Sequence, residues 1–345
     1  MIEVRYDRPK RLGGQQSIFV TFPYSQDIVG VIRCVPERFW DSKNSVWELD
    51  YKAYDFLREH LPNEEFSVVG EPIDSGSLVK KDLEQFSLPE SLQTELFSYQ
   101  QEDFNMLMNF EKRLVLHDTG LGKSIICSAV AEKRRELGLA DHTLILCLNT
   151  LTVNWYREIK KHFNMESTIL GARKDKRGNL IVKSNKDTLE DLKNLKTYFL
   201  ITNIESLQNK DIVQELVNLC KKKRVMIIED EIHKGVSNPG TKQGKAFLRL
   251  KPKYSLGLSG TLLTNSALNL YTPLKFVDGF KSNYNAFKSH YVIYGGYGGY
   301  QVVGYKNLAE LQVLVDTYSI KRKKGDVLDL PEINFKNEYS QMGKA

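Results

Sequence analysis

The chain has 345 residues, of which 41% are hydrophobic and 27% charged, proportions ordinary for a globular protein and sufficient for two domains. It has no apolar run near the ~18 residues of a membrane span and no signal-like N-terminus, so we expect no membrane partner and a reducing, cytoplasmic environment. The four cysteines are far apart and match no metal-ligand or disulfide pattern, which argues against both classes of site.

The net charge of +6 is unevenly distributed. Residues 1–90 contain 11 basic and 16 acidic side chains, whereas residues 91–345 contain 38 and 27. A basic surplus suits a polyanionic partner such as nucleic acid. Many basic domains bind no nucleic acid, so charge alone does not assign a function.

Residues 1–70 predict a small α+β domain. Its predicted elements are a strand, a helix, a hairpin with a polar turn and a second helix, at Ser17–Phe22, Asp27–Val35, 39–49 and Tyr51–Leu61. We expect this unit to fold alone, with Phe22, Trp40 and Trp47 in a shared core. Residues 71–91, rich in proline, glycine and serine, predict a linker.

Residues 92–345 alternate apolar runs with helical segments, the pattern of a wound α/β domain. The apolar runs predict strands at Arg113–Leu116, Thr143–Leu148, Tyr198–Thr202, Val225–Ile228 and Tyr254–Leu258. None shows strict alternation of polar and apolar residues, which favours parallel strands covered on both faces. Residues 291–305, rich in glycine and tyrosine, predict a β-hairpin.

The strongest local signal is DTGLGKS at residues 118–124, between a predicted strand and a predicted helix. Glycines let backbone N–H groups close around phosphates, and a helix N-terminus adds a positive dipole. Lys123 would reach the β- and γ-phosphates, and the Ser124 hydroxyl would ligate Mg²⁺. The phosphate-loop pattern has a glycine where this chain has His117, so an ordinary turn is the alternative. The loop residues that would surround the phosphates are Thr119, Gly120, Leu121 and Gly122.

Paired acids follow another predicted strand in IIEDEIH, residues 227–233. At the end of a central strand, Asp230 can hold the Mg²⁺ shell while Glu231 orients and deprotonates an attacking water. A solvated strand end is the alternative, but it leaves unexplained two acids directly after a buried strand and followed by His233.

Small hydroxyl residues follow the last predicted strand at Ser259, Gly260 and Thr261. Their hydroxyls could hydrogen-bond the region of Glu231 and His233 and so couple the nucleotide to a second site. The same composition also suits a plain turn, and spacing does not decide between the two interpretations.

Together these motifs resemble the Swi/Snf-type ATPases of helicase superfamily two, from about Leu92 to Pro331. Seven blocks occur in the family's order: 96–100 (LFSYQ), 118–124, 144–158, 200–203 (LITN), 230–233 (DEIH), 259–265 (SGTLLTN) and 320–331 (IKRKKGDVLDLP). His117 and Thr119 depart from the commoner acidic and methionine residues, and DEIH replaces the usual DEAH or DEGH. The resemblance implies a RecA-like parallel sheet that binds ATP and Mg²⁺.

The resemblance also implies individual roles. Gln100 would read the adenine edge, and Phe97 would lie against the base. Nucleic acid would lie across the segments that follow the strands, with phosphate contacts that position a duplex without reading sequence. For Trp155, packing inside the lobe is an equal alternative. The candidate nucleic-acid contacts are Asn154, Trp155, Thr202, Asn203, Asn238 and Lys242.

Three further clusters have competing interpretations. Lys221–Arg224 is more typical of a solvated strand entry than of a DNA patch, and Lys321–Lys324 is balanced between the two. Tyr294, Tyr297 and Tyr300 could stack on bases, although we favour packing of these rings on their own lobe.

The N-terminal unit resembles the HARP domain that precedes the motor in annealing helicases, which rewind DNA and act at branched or forked substrates. The matching positions are Phe19, Phe22, Pro23, Tyr24, Ile28, Pro36, Arg38, Phe39, Trp40, Asp41 and Trp47. Its acidic surplus argues against a broad electrostatic DNA surface. DNA binding would depend on a local set comprising Arg5, Arg8, Lys10, Arg11, Arg38 and Lys43.

We therefore predict a RecA-like α/β lobe, preceded by a small α+β domain, that uses ATP to move along or remodel double-stranded or branched DNA. A nucleotide-dependent DNA-binding scaffold and a strand-separating helicase are the alternatives. The family's second RecA-like lobe supplies arginines to the γ-phosphate, and the residues after Pro331 are too few to form it. We expect weak nucleotide binding and slow turnover from this chain alone, with a second lobe encoded downstream or in another chain.

Overall fold

The computed structural model describes residues 1–7, 17–35, 38–51, 53–70, 84–175, 177–178, 180–182, 184–260 and 266–327. Five strands near the N-terminus form one sheet: β1 (Ile2–Asp7), β2 (Ser17–Thr21), β3 (Arg38–Asp41), β4 (Val46–Asp50) and β5 (Phe66–Val69). Their spatial order is β3-β4-β2-β1-β5. β1 is antiparallel to β2 and parallel to β5. Helices α1 (Gln26–Cys34) and α2 (Ala53–His60) pack against this sheet.

The core of the N-terminal sheet follows from strand periodicity. Alternate residues of a strand face the same side, so Ile18 and Val20 of β2 join Ile2 and Val4 of β1 under the helices. Ser25 caps α1, its side chain accepting a hydrogen bond from the N–H of Ile28. The apolar face of α1 thereby meets the sheet.

Trp40 departs from the predicted core. Phe22 and Trp47 are partly buried and pack against the apolar cluster, as expected. Trp40 is exposed, and its ring lies 5.0 Å from that of Trp47, its cross-strand partner between β3 and β4. The prediction was wrong for Trp40, because the short hairpin places it over Trp47 rather than beneath the helices.

Seven strands of the remaining chain form a second sheet, with the order β16-β6-β13-β12-β7-β11-β8 and every neighbouring pair parallel. Its strands are β6 (Lys112–His117), β7 (His142–Cys147), β8 (Ser167–Ile169), β11 (Phe199–Asn203), β12 (Val225–Asp230), β13 (Tyr254–Ser259) and β16 (Ser319–Arg322). Two antiparallel pairs lie outside it: β9 (Ala172–Lys174) with β10 (Leu180–Val182), and β14 (Val292–Gly295) with β15 (Gln301–Tyr305).

Helices cover both faces of this sheet. They are α3 (Ser98–Met108), α4 (Lys123–Glu136), α5 (Thr152–Phe163), α6 (Asn185–Lys193), α7 (Lys210–Lys222), α8 (Lys242–Phe247), α9 (Tyr271–Phe276), α10 (Tyr284–Tyr291), α11 (Leu308–Thr317) and α12 (Lys324–Val327). Successive residues of one strand fall in different apolar clusters: Leu114 packs with α7 and α8, and Val115 with α3, α4 and α5. The predicted RecA-like α/β fold, with strands buried on both faces, is confirmed.

Helix α11 joins the two sheets. Its Val313 belongs to the apolar core of the N-terminal unit. A Cβ built on Gly30 of α1 would lie 3.1 Å from Cβ of Glu310, so the two helices approach closely. The Cys34 thiol also donates to the Glu310 carbonyl at 3.6 Å. The core of the N-terminal unit therefore includes a residue far outside 1–70.

The hairpin predicted at 291–305 is formed by β14 and β15. The expectation that its tyrosines pack on the lobe was wrong at the tip, because Tyr297 and Tyr300 are 99% and 87% exposed. Gly296, Gly298 and Gly299 have positive φ values there, and the tight turn turns both rings outward.

Part of the predicted linker packs on the lobe. Residues 71–83 lie outside the described residues. In the following segment, Phe86 and Leu88 contact the apolar core, and the N–H of Phe86 donates to Oδ1 of Asn105 at 2.7 Å. Across the part of the chain that the structure describes, we find no helix with the length and apolarity to cross a membrane.

Candidate functional site

Strand β6 leads directly into the predicted phosphate loop. Gly120 and Gly122 have φ values of +86° and +78°, a region that side-chain-bearing residues rarely adopt. Helix α4 then begins at Lys123 and runs for 14 residues. Its first N–H groups have no partners within the helix and, with the helix dipole, favour a bound anion.

The Lys123 ammonium is held inside this loop. Its Nζ donates to the carbonyl oxygens of His117 and Asp118, at 2.8 and 3.3 Å. Burial lowers the pKa of Lys123, while the nearby carboxylates of Glu231 and Asp230 oppose that shift. The lysine and the two predicted catalytic acids therefore lie within one electrostatic environment.

Asp230 ends β12 at the carboxyl edge of the sheet. Its Oδ2 accepts a hydrogen bond from the indole N–H of Trp155, at 2.9 Å. Burial raises the pKa of the Asp230 carboxyl, and the hydrogen bond from Trp155 opposes that rise. The indole thereby favours the charged carboxylate, the form able to bind a cation.

Glu231 has a φ value of +59°, which is uncommon for a residue with a side chain. Its Oε2 lies 3.2 Å from Nδ1 of His233. The same Nδ1 lies 2.8 Å from the hydroxyl oxygen of Ser259, at the end of β13. Burial lowers the pKa of His233, and Glu231 opposes that shift. Backbone strain of this type costs roughly 1–3 kcal/mol and concentrates at functional sites.

The segment predicted to couple two sites lies against the phosphate loop. Ser259 contacts His233, as expected of its hydroxyl. A Cβ built on Gly260 would lie 3.4 Å from the Thr119 methyl group. Thr261 lies outside the described residues. The end of β13 thus adjoins both the loop and the acidic edge.

Gln100 connects α3 to the phosphate loop. Its side chain is only 6% exposed, and its Nε2 donates to the carbonyl of Leu121 at 3.3 Å. Its Oε1 accepts from the N–H of Phe97 at 3.0 Å. Phe97 is exposed and stacks on Tyr99, with ring centroids 5.9 Å apart. In this conformation the Gln100 amide secures the loop, so contact with a base would require its amide to exchange partners.

A buried polar cluster behind the loop was not predicted. The Asp103 carboxylate, almost fully buried, accepts from Nε and Nη2 of Arg322 at 3.1 and 2.9 Å. Nε2 of His117 lies 3.5 Å from that carboxylate, but burial lowers the histidine pKa to about 4. His117 is therefore neutral at pH 7, and the ion pair is between Asp103 and Arg322. Their sequence separation of 219 residues hid this pair from local patterns.

The oxygens at the site suit magnesium with a phosphate ligand. Ser124 lies in the first turn of α4 and Asp230 ends β12, and hydroxyl and carboxylate oxygens are ligands that Mg²⁺ accepts. Among the described residues, no group of three or more histidine, cysteine or acidic side chains is arranged to hold a metal. Mg²⁺ commonly binds one or two protein oxygens together with substrate phosphates and water.

The predicted nucleic-acid residues lie in segments that follow three adjacent strands, β12, β7 and β11. Asn203 donates to Oδ1 of Asn149 at 3.0 Å, which joins the segment after β11 to the segment after β7. Asn154, Asn238 and Lys242 are exposed. The carboxyl ends of parallel strands share one edge of a sheet, so these residues line a common edge.

Two of the predicted nucleic-acid contacts, Trp155 and Thr202, have buried side chains. Trp155 is 1% exposed, and its N–H is used by Asp230. Thr202 is 2% exposed, and its hydroxyl donates to Oγ of Ser206 at 3.1 Å. Both side chains are buried because they belong to apolar faces that pack inside the lobe. Lys234, which the sequence analysis did not select, is exposed directly after His233.

The two basic runs differ in their partners. Lys221–Arg224 is exposed, and Arg224 pairs with Asp141 at 2.7 Å, which agrees with a solvated strand entry. In Lys321–Lys324, Lys321 pairs with Asp316 and Arg322 with Asp103. Half of the second run is therefore engaged within the protein.

The sequence matches the family described as SNF2-related domain over residues 99–344. A Drosophila melanogaster protein, "SWI/SNF-related matrix-associated actin-dependent regulator of chromatin subfamily A-like protein 1", is 25% identical over 341 residues, covering 92% of this chain and 40% of that protein. The Arabidopsis thaliana "TATA-binding protein-associated factor BTAF1" is 29% identical over 225 residues, covering 61% of this chain and 10% of that protein. The chain thus spans less than half the length of these relatives.

A similar fold occurs in the solved structure "Sulfolobus solfataricus SWI2/SNF2 ATPase core in complex with dsDNA". It superposes with a TM-score of 0.54 at 21% identity, covering 70% of this chain and 47% of that chain. A second solved structure, "Sulfolobus solfataricus SWI2/SNF2 ATPase core domain", gives a TM-score of 0.54 at 20% identity, covering 76% of this chain and 50% of that one. At these identities the likeness concerns the fold.

Proposed function

The chain belongs to the family of SNF2-related domains, and from that premise we propose that it is the ATP-binding half of a motor that moves along or remodels double-stranded DNA. The observation that carries the proposal is the convergence of Lys123 with Asp230 and Glu231. A phosphate-binding cation and two acids at strand ends are the parts that nucleoside triphosphate hydrolysis requires.

Each of these side chains has a distinct role. The Lys123 ammonium binds the β- and γ-phosphates, and the backbone N–H groups of Thr119–Gly122 surround them. Ser124 and Asp230 are the protein ligands of Mg²⁺, which, when bound, neutralises the phosphate oxygens. Glu231 orients the attacking water and accepts its proton. Phe97 lies against the base, and Gln100 holds α3 to the loop beside it.

DNA lies along the edge formed by the segments after β7, β11 and β12. The similar fold of the Sulfolobus solfataricus SWI2/SNF2 ATPase core, solved in complex with dsDNA, supports this placement. Asn154, Asn203, Asn238 and Lys242 contact the phosphate backbone, which positions a duplex without reading its sequence. Ser259 connects this edge to the nucleotide through His233, and Gly260 and Thr261 belong to the same coupling segment.

The N-terminal unit, residues 1–70, is a HARP-like domain that directs the motor to branched DNA and supports annealing. The match to the Drosophila relative extends over 92% of the chain and so includes at least part of this unit. The proposed boundaries follow the sequence prediction, 1–70, 71–91 and 92–345, with the end of the middle segment packed on the lobe at Phe86 and Leu88. Of the proposed basic set, Arg5 and Lys43 are exposed, and Arg38 donates to the Val35 carbonyl at 2.6 Å. The remaining members, Arg8, Lys10 and Arg11, lie outside the described residues.

A second RecA-like lobe, in the full protein or in another chain, supplies the arginines that stabilise the transition state. Such an arginine contributes roughly 10³–10⁵ to the rate. The 345-residue chain alone should therefore turn over slowly and respond little to DNA. A DNA-stimulated turnover of about 1 s⁻¹ by the purified chain, an ordinary enzyme rate, would contradict the need for a second lobe.

Two variants test the assignment of roles. Lys123→Ala should abolish detectable ADP and ATPγS binding in titration calorimetry with MgCl₂, because it removes the charge inside the loop. Glu231→Gln should bind ATP normally and lose hydrolysis in a single-turnover assay with labelled ATP. Lys161→Ala, which removes an exposed lysine of α5, is the matched control. Loss of binding in Glu231→Gln as severe as in Lys123→Ala would show that the roles are misassigned.

A further inference from the structure

We infer that Lys324 is a second cation of the phosphate site and binds the diphosphate or triphosphate chain of the nucleotide opposite Lys123. The inference rests on the proposed function and deepens it. Lys324 lies far from the phosphate loop in sequence, at a separation of 206 residues from Asp118. The sequence left its basic run balanced between a DNA patch and a solvated strand entry.

The sheet places Lys324 beside the loop. Strand β16 pairs in parallel with β6, and Arg322 lies opposite His117, the last residue of β6. Parallel strands end at the same edge. The chain that leaves β16 therefore emerges next to the chain that leaves β6, and the latter is the phosphate loop.

Hydrogen bonds to the phosphate loop and to α3 hold this segment in place. The N–H of Asp118 donates to the Arg322 carbonyl at 3.0 Å. The N–H of Lys324 donates back to Oδ2 of Asp118 at 2.9 Å. The Arg322 side chain also donates to Glu102 at 2.9 Å and to Asp103, both on α3, the helix that carries Gln100. The backbone at Lys324 is thus fixed to the loop and to the helix beside the proposed base site.

The Lys324 side chain lies over the loop at Gly120. A Cβ built on Gly120 would be 3.9 Å from Cε and 4.0 Å from Nζ of Lys324. Gly120 has no side chain to separate the ammonium from the loop backbone. The ammonium therefore lies close to the loop whose N–H groups, with Lys123, would surround a phosphate.

The charges in this segment distinguish Lys324 from its neighbours. Lys321 and Arg322 are paired with Asp316 and Asp103. For Lys324, no carboxylate oxygen of the described residues lies within 4.0 Å of Nζ, and its side chain is half-buried rather than free in solvent. Two ammonium groups directed at one small loop repel each other unless an anion lies between them.

Matched substitutions test the inference. We would measure the affinities of AMP, ADP and ATPγS by titration calorimetry with MgCl₂ for the whole 345-residue chain and its variants. Lys324→Ala should weaken ADP and ATPγS about five- to twentyfold, because one cation facing the phosphates is lost, and should change AMP affinity less than twofold. Lys324→Arg should restore affinity to within about threefold of wild type. Lys323→Ala, which removes the adjacent exposed lysine, should have no effect.

The outcomes separate the inference from the proposed function. The role of Lys324 alone would be overturned if Lys324→Ala and Lys323→Ala bound ADP with equal affinity while Lys123→Ala lost ADP binding. A uniform loss for all three nucleotides would also overturn it, since that pattern indicates a general disturbance of the site. A wild-type chain that binds none of the nucleotides would overturn the proposed function and the inference together.

Discussion

The indole N–H of Trp155 donates to Oδ2 of Asp230 over 2.9 Å, and thereby joins α5 to the acidic end of β12. Trp155 is almost fully buried, and Asp230 carries the carboxylate proposed to bind magnesium. The nucleic-acid segment and the nucleotide segment consequently share a side-chain contact inside the lobe. Trp155, which the resemblance suggested as a DNA contact, is therefore bonded to the proposed catalytic edge.

Trp155→Phe should keep most of the packing and lose this hydrogen bond. We expect the free energy of unfolding to fall by about 1.5–3 kcal/mol, the range for a hydrogen bond to a charged group. Urea unfolding at pH 7 measures the change. Trp40→Phe, at an exposed tryptophan, should change it by less than about 0.5 kcal/mol. Equal effects of the two substitutions would contradict a specific contribution from the indole N–H.

Gly122→Ala should distort the contact between the loop and α3. An added Cβ would lie 2.3 Å from Nε2 of Gln100, which is buried and bonded to the Leu121 carbonyl. Gly138→Ala is a matched control, since φ is also positive there, +63°, and nothing lies within 4 Å of the added carbon. We expect the free energy of unfolding to fall by about 1 kcal/mol in the control because of backbone strain. In Gly122→Ala it should fall by about 1–3 kcal/mol more because of overpacking. Similar thermal shifts in both variants would refute the steric argument.

Arg322→Met should leave the buried Asp103 carboxylate without its ion-pair partner. We expect a loss of about 2–3 kcal/mol at pH 7, below the usual cost of breaking a fully buried pair because Arg322 is partly exposed. Glu102→Gln removes the exposed partner of the same arginine and should cost less than about 1 kcal/mol. Urea titrations of both variants test the difference.

The loss of unfolding free energy that Arg322→Met causes should become smaller as the pH falls. Burial raises the pKa of Asp103, and Arg322 opposes that rise, so removing the arginine raises this pKa further. A carboxyl group with a higher pKa in the folded state binds a proton more tightly there, so acid favours folding. The pH range over which the stability difference changes lies above the ordinary pKa range of aspartate and extends toward neutral pH. A deficit that grows on acidification would contradict this linkage.

Val313→Ala should destabilise the N-terminal unit although it lies in α11. Val313 is buried in that unit's core, and its truncation should cost about 1.5–2.5 kcal/mol. Hydrogen exchange should show faster exchange in β1, β2 and α1. Val303→Ala, at an exposed position of the hairpin, is the control. Unchanged protection in β1 and β2 would mean that residues 1–70 hold their core without α11, as the sequence suggested.

The central strands, the glycine-rich motif and the acidic motif were predictable because each signal is local. Long apolar runs mark buried parallel strands, and the residues just after them carry the chemistry. Strands β1 and β16 were missed. Ile2–Asp7 contains three charged residues, and Ser319–Arg322 reads as part of a basic run. Each becomes a strand only because a partner presents an open edge, β2 for the first and β6 for the second.

The contacts that position the site were beyond local patterns. Trp155 and Asp230, Arg322 and Asp103, and Val313 with the N-terminal core are long-range pairs brought together by the sheet order. Thr202 is buried, although its polar side chain suggested in the sequence that it would be exposed to nucleic acid. The positive φ of Glu231 likewise depends on the fold around the end of β12. Tertiary packing overrides side-chain polarity in each of these cases.

The position of β16 beside β6 has a consequence for synthesis of the chain. The contact between Lys324 and Asp118 spans 206 residues, so on a ribosome adding about 5–20 residues per second the edge of β6 waits roughly 10–40 s for its neighbour. During that interval β6 presents unpaired backbone groups, which can pair with another nascent chain. Only the arrival of β16 covers them, and the same event brings Lys324 to the loop. Completion of the sheet edge and completion of the phosphate site are therefore one late step in folding.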